Sequence, residues 1–490
     1  MIVVITTKVE TFNNYINGEW QESVSKKTFF SVNPANTEDV VGEFQASNGQ
    51  DVKTAIEAAK NAFPSWSQTA PSKRAAILNQ AASILEQNVA ALAEELTREE
   101  GKHVEDAKNE VIRSAQTLRY YAVEGQSFTG ETFPNDDANM KVSTEREALG
   151  VVSVITPWNF PLSIPARKIA PALITGNTVV FKPSSDTPLI AFRLVEALAK
   201  AGIPKGVINF VTGKASDVGD LLVTHPAVRA VTFTGSTAAG EDIHSKASFT
   251  TRTQMELGGK NPLIVMDDAD LDLAATLTVN GAYSLTGQAC TGTSRVIVLK
   301  EVKEEFTQKL VQKTSALKIG NGFEAGVKIG PLANEKQLKN VLKYIEFGKE
   351  DGADLVYGGE QVLTGEFEKG YFVEPAIFTN VKPNSRIAKE EIFGPVVAVI
   401  EVDTYEEAIA VANDVEYGLS ASIVTNNLKI ANQFTKDIQA GTVKVNRTTT
   451  GNLMNAPFGG LKKSSTSTFR ESGRVGLEFF TQLKTVYMGY

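Results

Sequence analysis

The sequence predicts an α/β protein built on parallel β-sheet, and three stretches carry that expectation. From Asp51 to about Glu124 apolar residues recur at three-to-four spacing. Ala75, Ile77, Leu78, Ala81, Ile84, Leu85, Val89, Leu92 and Leu96 follow the period of helices with one buried face. From Gly150 to Ser236 short β-branched runs alternate with helical ones, the pattern of βαβ units. The same alternation returns from about Gly258 to Val445 and predicts a second α/β block.

Taken in order, the chain opens M-I-V-V-I-T-T, a short apolar run with no basic flank or cleavage pattern. It reads as a frayed or strand-like start rather than a leader. After the helical region, a strand at Val151–Ile155 runs into T-P-W-N-F-P, and a helix over Pro165–Leu173 stops at Gly176. A strand at Thr178–Phe181 ends in K-P-S-S-D-T-P, and the helix Leu189–Ala201 ends at Gly202. The strand Val207–Val211 reaches T-G-K, and Ala230–Phe233 runs into T-G-S-T, which opens a helix. Ligands of such sheets sit beyond the carboxyl ends of the strands, so W-N, K-P-S-S and T-G-S-T are placed to meet one. Near the C-terminus F-F-T-Q-L-K-T-V-Y alternates like an exposed strand. An exposed strand needs a partner, and another subunit would supply one.

At 490 residues the chain exceeds one ordinary core, and two or three structural units are expected. A formal charge of −8 argues against a nucleic-acid or anionic-membrane partner, because neutralising phosphates requires a basic face. No apolar run approaches the length of a membrane helix, so a cytoplasmic protein is expected. One cysteine excludes a disulfide within the chain and any multi-thiolate metal centre. The scattered His103, His225 and His244 show no zinc spacing, and no metal is expected.

The chemistry-bearing residues are few. Cys290 lies in G-Q-A-C-T-G-T, a polar, glycine-rich turn. Free cysteine is usually buried packing, but here the neighbours build no apolar pocket and the glycines admit a ligand. A reactive thiol would need a helix terminus, cation or base; no histidine is near in sequence, and His244 would reach it only through folding. Phe233-Thr234-Gly235-Ser236 closes a strand and opens a helix, so it is either a pyrophosphate site or simply a helix cap. Lys182 in K-P-S-S is either a solvated lysine beside a turn or a cation presented to a ribose or phosphate. Glu256, before Gly258-Gly259, and Glu391, before Phe393-Gly394-Pro395, are either surface carboxylates at turns or site residues.

Together these motifs resemble the aldehyde dehydrogenase superfamily over essentially the whole chain. The order is P-W-N-F-P (157–161), K-P-S (182–184), F-T-G-S (233–236), E-L-G-G-K (256–260), G-Q-A-C (287–290), E-I-F-G-P (391–395) and P-F-G-G (457–460). The resemblance implies a Rossmann-like cofactor domain (1–125 and 148–255) and an α/β catalytic domain (256–446). It also implies a small β oligomerisation and bridging element (126–147 and 447–490), giving a homodimer or homotetramer. It makes Cys290 the nucleophile that forms a thiohemiacetal with an aldehyde and then a thioester. Asn159 and the Cys290 N–H would hold the oxyanion, and Glu256 would be the general base for hydrolysis. NAD or NADP would meet Trp158, Lys182, Ser185, Gly235, Ser236, Glu391 and Phe393. Rival readings within or beside the family are a CoA-acylating semialdehyde dehydrogenase, a cofactor-independent thiol esterase and a non-catalytic structural relative. The likeness argues against the first, because such enzymes typically lack the Glu256 carboxylate.

Four departures bear on specificity. Many NAD-preferring members carry Glu where this chain has Ser185, and the smaller neutral residue leaves room for a 2′-phosphate beside Lys182. Arg167, eight residues after Asn159, stands where many relatives with apolar substrates have Trp and where succinate-semialdehyde enzymes have Arg. It is either a ligand for a distal carboxylate or a structurally paired arginine, with Phe160 and Phe458 as aromatic walls. The second arginine that those enzymes often carry shortly before G-Q-x-C is absent. The tail L-K-K-S-S-T-S-T-F-R-E-S-G is two residues longer than the common spacing and resembles the 2-oxoglutarate-semialdehyde type. The expected activity is therefore NAD(P)-dependent oxidation of aldehydes, of broad range or favouring ω-oxo acids.

Overall fold

The computed structural model describes residues 9–490; the opening M-I-V-V-I-T-T lies outside the described residues. Two seven-stranded sheets organise the chain. In the first, five parallel strands run in the order Arg252–Glu256, Val228–Thr234, Val151–Ile155, Thr178–Lys182 and Ile208–Phe210. The short strands Asn14–Ile16 and Glu19–Gln21 extend it antiparallel. These strands are buried on both faces, as β-branched runs between helices require. Val152, Val154, Val179 and Phe181 pack to one side, and Val151, Val180 and Val231 to the other.

Register decides what this sheet presents. Thr234 pairs beside Glu256, Phe233 beside Ile155, and Ile155 beside Lys182. The strands therefore finish level, and the motifs that follow them share one edge. Helices Gly49–Ser67, Pro71–Gln87, Val89–Glu100 and Val104–Glu124 supply the helical period read from Asp51 onward and pack around this sheet.

The second sheet follows the order Asp354–Tyr357, Ala376–Thr379, Val396–Val402, Thr293–Leu299, Asn261–Val265, Ser420–Val424 and Thr442–Val445. All its pairings are parallel except the first. It too is covered on both faces, with Ile264, Ile297 and Ile400 on one side and Leu263, Val265, Val296 and Val298 on the other. Its loops G-G-K, C-T-G-T and F-G-P precede their strands, at the amino edge. That edge faces the carboxyl edge of the first sheet.

A third, three-stranded antiparallel sheet pairs Thr481–Gly489 with Met140–Ala148 over nine residues, and Met140–Ala148 with Thr132–Phe133. The C-terminal alternation is thus a strand. Along the strand Thr481–Gly489 the side chains of Leu483, Tyr487 and Met488 are exposed, as is Tyr490 just beyond it. Among the described residues no helix is long and apolar enough to cross a membrane.

Candidate active site

Cys290 sits in a tight turn closed by the Gly292 N–H donating to the Ala289 carbonyl at 2.9 Å. Burial pushes its thiol up to about 12; Arg167 opposes the shift, and the carboxyls of Glu391, Glu256 and Glu471 reinforce it. The sulfur is therefore a thiol at neutral pH and needs a base to become a nucleophile. His244 is held at Thr253, its Nδ1 hydrogen-bonded to Thr253 Oγ1 at 2.8 Å, and is not among the groups that act on the thiol.

Asn159 arrives from the loop after Val151–Ile155. It is buried, and its Nδ2 donates to the Gln288 carbonyl at 2.9 Å, so its amide is held at the nucleophile turn. Lys102 supports it from below: Nζ donates to the Asn159 carbonyl at 2.7 Å and to Glu110 at 2.6 Å, and it stands 4.7 Å from the Phe160 ring. The other oxygen of Glu110 accepts the N–H groups of Leu162 and Ser163, each at 3.0 Å. That carboxylate covers the start of helix Ser163–Ile174, where free N–H groups and the helix dipole favour negative charge.

This helix delivers Arg167 and Lys168 to a buried carboxylate, Glu471. Lys168 Nζ lies 3.0 Å from it and Arg167 3.7 Å from it. Lys168 also donates to Thr232 Oγ1 at 2.9 Å. Burial opposes ionisation of Glu471, but the two cations outweigh it and hold the carboxyl below the usual range. Arg167 is not a surface arginine. Its guanidinium stands 5.7 Å from the Phe458 ring, and its buried Nε–H has no acceptor among the described residues. The pairing with Glu471 leaves part of its donor set free.

Glu256 ends the strand Arg252–Glu256 and is buried, not a surface carboxylate. Neither of its oxygens has a hydrogen-bond partner among the described residues. Burial, reinforced by the charge on Glu471, holds it well above the usual carboxylate range; Lys168, Arg470 and Arg167 offset part of the effect. Glu256 and Glu471 thus form an asymmetric pair, one proton-holding and one ionised, set by which of them meets the lysine. Phe458 comes from the opposite side, exchanging backbone hydrogen bonds with Glu471 at 2.6 and 2.8 Å.

The remaining residues lie in loops at the carboxyl edge of the first sheet and the amino edge of the second. Trp158 and Phe393 meet edge to face, with ring centres 5.4 Å apart. Phe393 has φ +58°, a left-handed conformation unusual for a bulky residue. Gln337 holds it there by donating to the Phe393 and Ile392 carbonyls at 2.7 and 3.0 Å. Glu391 accepts the Gly259 N–H at 3.0 Å, and burial pushes it up to about 7. A Cβ on Gly258 would fall 2.1 Å from its oxygen, so the glycine pair is what lets this carboxylate approach. Gly259, Gly287, Ala289, Glu391 and Phe393 help to line a small cavity.

Lys182 is buried, donates to the Pro183 carbonyl at 2.7 Å, and is pushed down to about 8 by burial against the pull of Asp186. Ser185 Oγ donates to the Gly213 carbonyl at 3.0 Å. Gly235 and Ser236 lead into helix Thr237–Lys246, and the Ser236 hydroxyl makes no capping bond. The buried hydroxyls of Thr156 and Thr234, at two adjacent strand ends, also lack partners among the described residues. A helix start with unpaired hydroxyls nearby, a buried lysine and a raised carboxylate form a donor set that fits a dinucleotide: phosphate at the first, ribose hydroxyls at the others.

Sequence reading did not single out Glu471, Lys168, Lys102 or Asn261. Glu471 stood in the R-E-S-G tail without an assigned role. Lys168 had one signal: a second cation beside Arg167 within the otherwise apolar run I-P-A-R-K-I-A-P-A-L.

Comparison with known proteins places this geometry. The Aldehyde dehydrogenase family model matches residues 20–486. The chain is 46% identical over 485 residues to an alpha-ketoglutaric semialdehyde dehydrogenase of Bacillus subtilis, covering 99% of each chain. It is 46% identical over 469 residues to a 2,5-dioxopentanoate dehydrogenase of Saccharolobus solfataricus, covering 95% of this chain and 97% of that one. Its structure resembles the crystal structure of betaine aldehyde dehydrogenase from Staphylococcus aureus in complex with NAD+. The TM-score is 0.94 and the identity 36%, over 97% of this chain and 94% of that one.

Proposed function

The chain belongs to the aldehyde dehydrogenase family, and from that premise we propose that it oxidises ω-oxo-acid semialdehydes to dicarboxylic acids with NAD or NADP. One observation carries the mechanism: the only cysteine lies in a turn bonded to the Asn159 amide, with the unpartnered carboxyl of Glu256 close enough to shift its titration.

Glu256, in its ionised form, takes the thiol proton of Cys290, and the sulfur attacks the aldehyde carbon. The Asn159 amide and the Cys290 N–H hold the oxyanion of the thiohemiacetal. Bound NAD(P)+ would supply the acceptor for the hydride that leaves this carbon, with the acyl group left on the Cys290 sulfur. Once Glu256 has passed that first proton to solvent, it removes a proton from water, whose oxygen attacks the thioester carbon, breaks the C–S bond and frees the acid and the Cys290 sulfur. A carboxyl raised by burial holds protons strongly enough to accept them near neutral pH, which is what a base cycling between thiol and water needs. Trp158, Gly235, Ser236, Lys182 and Ser185 would hold the adenosine and pyrophosphate, and Glu391 and Phe393 the nicotinamide ribose. The small Ser185 leaves NADP acceptable alongside NAD.

Arg167, with its unpaired Nε–H beside Phe458, is assigned to the distal carboxylate of the substrate, and Phe160 and Phe458 to the walls around its chain. The names of the two relatives support a 2-oxo acid carrying a terminal aldehyde. We assign residues 1–125 and 148–255 to the cofactor domain and 256–446 to the catalytic domain. Residues 126–147 and 447–490 form the bridging element. Its exposed strand Thr481–Gly489 serves a cytoplasmic homodimer or homotetramer.

The deciding experiment is an aldehyde panel, with and without a distal carboxylate, assayed with both cofactors on wild type and Arg167→Ala. Arg167→Ala should raise KM for the ω-oxo acids about tenfold or more, the cost of losing a charge-assisted contact, while hexanal changes less than about threefold. Equal effects on both would remove the carboxylate assignment.

A further inference from the structure

Asn261 opens the strand Asn261–Val265, is buried, and uses its amide nitrogen on the nucleophile turn. Its Nδ2 donates to the Cys290 carbonyl at 2.8 Å and to the Gly292 carbonyl at 2.9 Å, and its Oδ1 accepts the Ser420 N–H at 3.0 Å. The carbonyl between these two, that of Thr291, accepts Thr449 Oγ1 at 2.7 Å. Three successive carbonyls of the turn are therefore held by side chains from other strands and loops. The approach is close. A Cβ on Gly259 would lie 2.6 Å from the Cys290 carbonyl oxygen and 2.8 Å from Asn261 Oδ1.

Peptide groups are planar and trans, so fixing a carbonyl fixes the N–H on the opposite side. The Ala289 carbonyl, bonded to the Gly292 N–H, sets the direction of the Cys290 N–H. Asn261 then holds the turn at Cys290 and at Gly292. Two donors diverging from one short planar group are needed for that task. A hydroxyl offers one donor, and an aspartate of the same shape would set negative charge against two carbonyl oxygens.

We propose that Asn261 is a positioning residue for acylation. It fixes the turn so that the Cys290 sulfur and N–H face the aldehyde together, an inference that rests on Cys290 being the nucleophile. Misplacing a reacting group by about 1 Å costs on the order of 100-fold, so the effect should fall on the chemical step rather than on binding.

The test is stopped-flow formation of NAD(P)H in the first turnover, with cofactor affinity from fluorescence titration, for wild type and for Asn261→Ala, Asn261→Asp and Asn261→Ser. In Asn261→Ala and Asn261→Asp the burst rate should fall about 30- to 100-fold, with aldehyde KM within about threefold and cofactor Kd within about twofold. Asn261→Ser, which keeps one donor, should fall between them and wild type, and it decides the matter if the other two do not fold. A burst within about threefold of wild type in the folded variants overturns the proposal, as does a loss matched by an equal loss of cofactor affinity. Cys290→Ala run alongside separates the two readings. Retained turnover there removes the nucleophile assignment itself, whereas lost turnover with normal bursts at position 261 removes only the role of Asn261.

Discussion

The two sheet edges that face each other across the site are built in opposite ways. The carboxyl edge of the first leaves polar groups unsatisfied: the hydroxyls of Thr156 and Thr234 and both oxygens of Glu256 have no partner among the described residues. The amino edge of the second ties the polar groups around the sulfur to one another, although Lys260 Nζ and Ser294 Oγ on that edge have no partner among the described residues. Asn261 holds Cys290, Gly292 and Ser420, Thr449 holds Thr291, and Thr293 pairs with Thr449 at 2.7 Å. Unpaired buried groups cost stability and are retained where a ligand or proton will meet them, whereas saturated groups fix geometry. One edge is therefore poised to bind and exchange protons, and the other to hold a sulfur still.

The largest expected effect breaks this division at the sulfur. Cys290→Ala should reduce NAD(P)-linked aldehyde oxidation to background while leaving cofactor binding, read by fluorescence titration, within about twofold of wild type. A matching loss of binding would mean that the held edge also builds the binding edge.

Glu256→Gln, next in size, should lower steady-state kcat about 100- to 10,000-fold. A residual first-turnover burst larger than the steady rate would show that water activation depends on Glu256 more than thiol activation does. If burst and steady state fall together, the same carboxylate governs both proton transfers.

Changing Ser185 to Glu should shift kcat/KM toward NAD by about tenfold or more, because a carboxylate accepts ribose hydroxyls and repels a 2′-phosphate. An unchanged NADP/NAD ratio would take Ser185 out of the cofactor site.

The subtlest prediction concerns pH. Burial and the negative charge of Glu471 both keep the proton on Glu256, so the base is available only above the usual carboxylate range and kcat rises with pH through that titration. Glu471→Gln removes the charge and leaves Lys168 and Arg167 acting on Glu256 alone, which favours its ionised form. The acid limb of the kcat profile should therefore move to lower pH. Movement to higher pH would mean that Glu471 supports the base through structure rather than opposing it through charge.

Much of the binding edge was legible in the chain because strand ends announce themselves. Lys182 and Gly235 follow β-branched runs and stand beside turn-forming residues, and the rule that ligands gather beyond strand ends located them. From its own neighbours Glu256 was one of two alternatives, since a glutamate before paired glycines is usually exposed, and only the family resemblance made it the general base. Its burial depends on Ser464 and Gly459, some 200 residues later, which pack on the E-L-G-G segment. The holding edge was less visible for the same reason. Asn261 carried no signal of its own, and its partners at Cys290, Gly292 and Ser420 are separated from it by 29 to 159 positions.

By itself, then, the sequence determined the alternating strands and helices, the parallel sheets and the identity of the one thiol. Periodicity, β-branching and composition are local properties that a chain carries in plain view. The tertiary structure alone decided that Lys168 meets Glu471 rather than Glu256, leaving one carboxyl charged and the other holding its proton. It alone decided that an asparagine side chain would hold the nucleophile's own backbone. Both outcomes rest on contacts between residues distant in the chain, whose charge and hydrogen-bonding capacity acquire a direction only when packing removes water and fixes their neighbours.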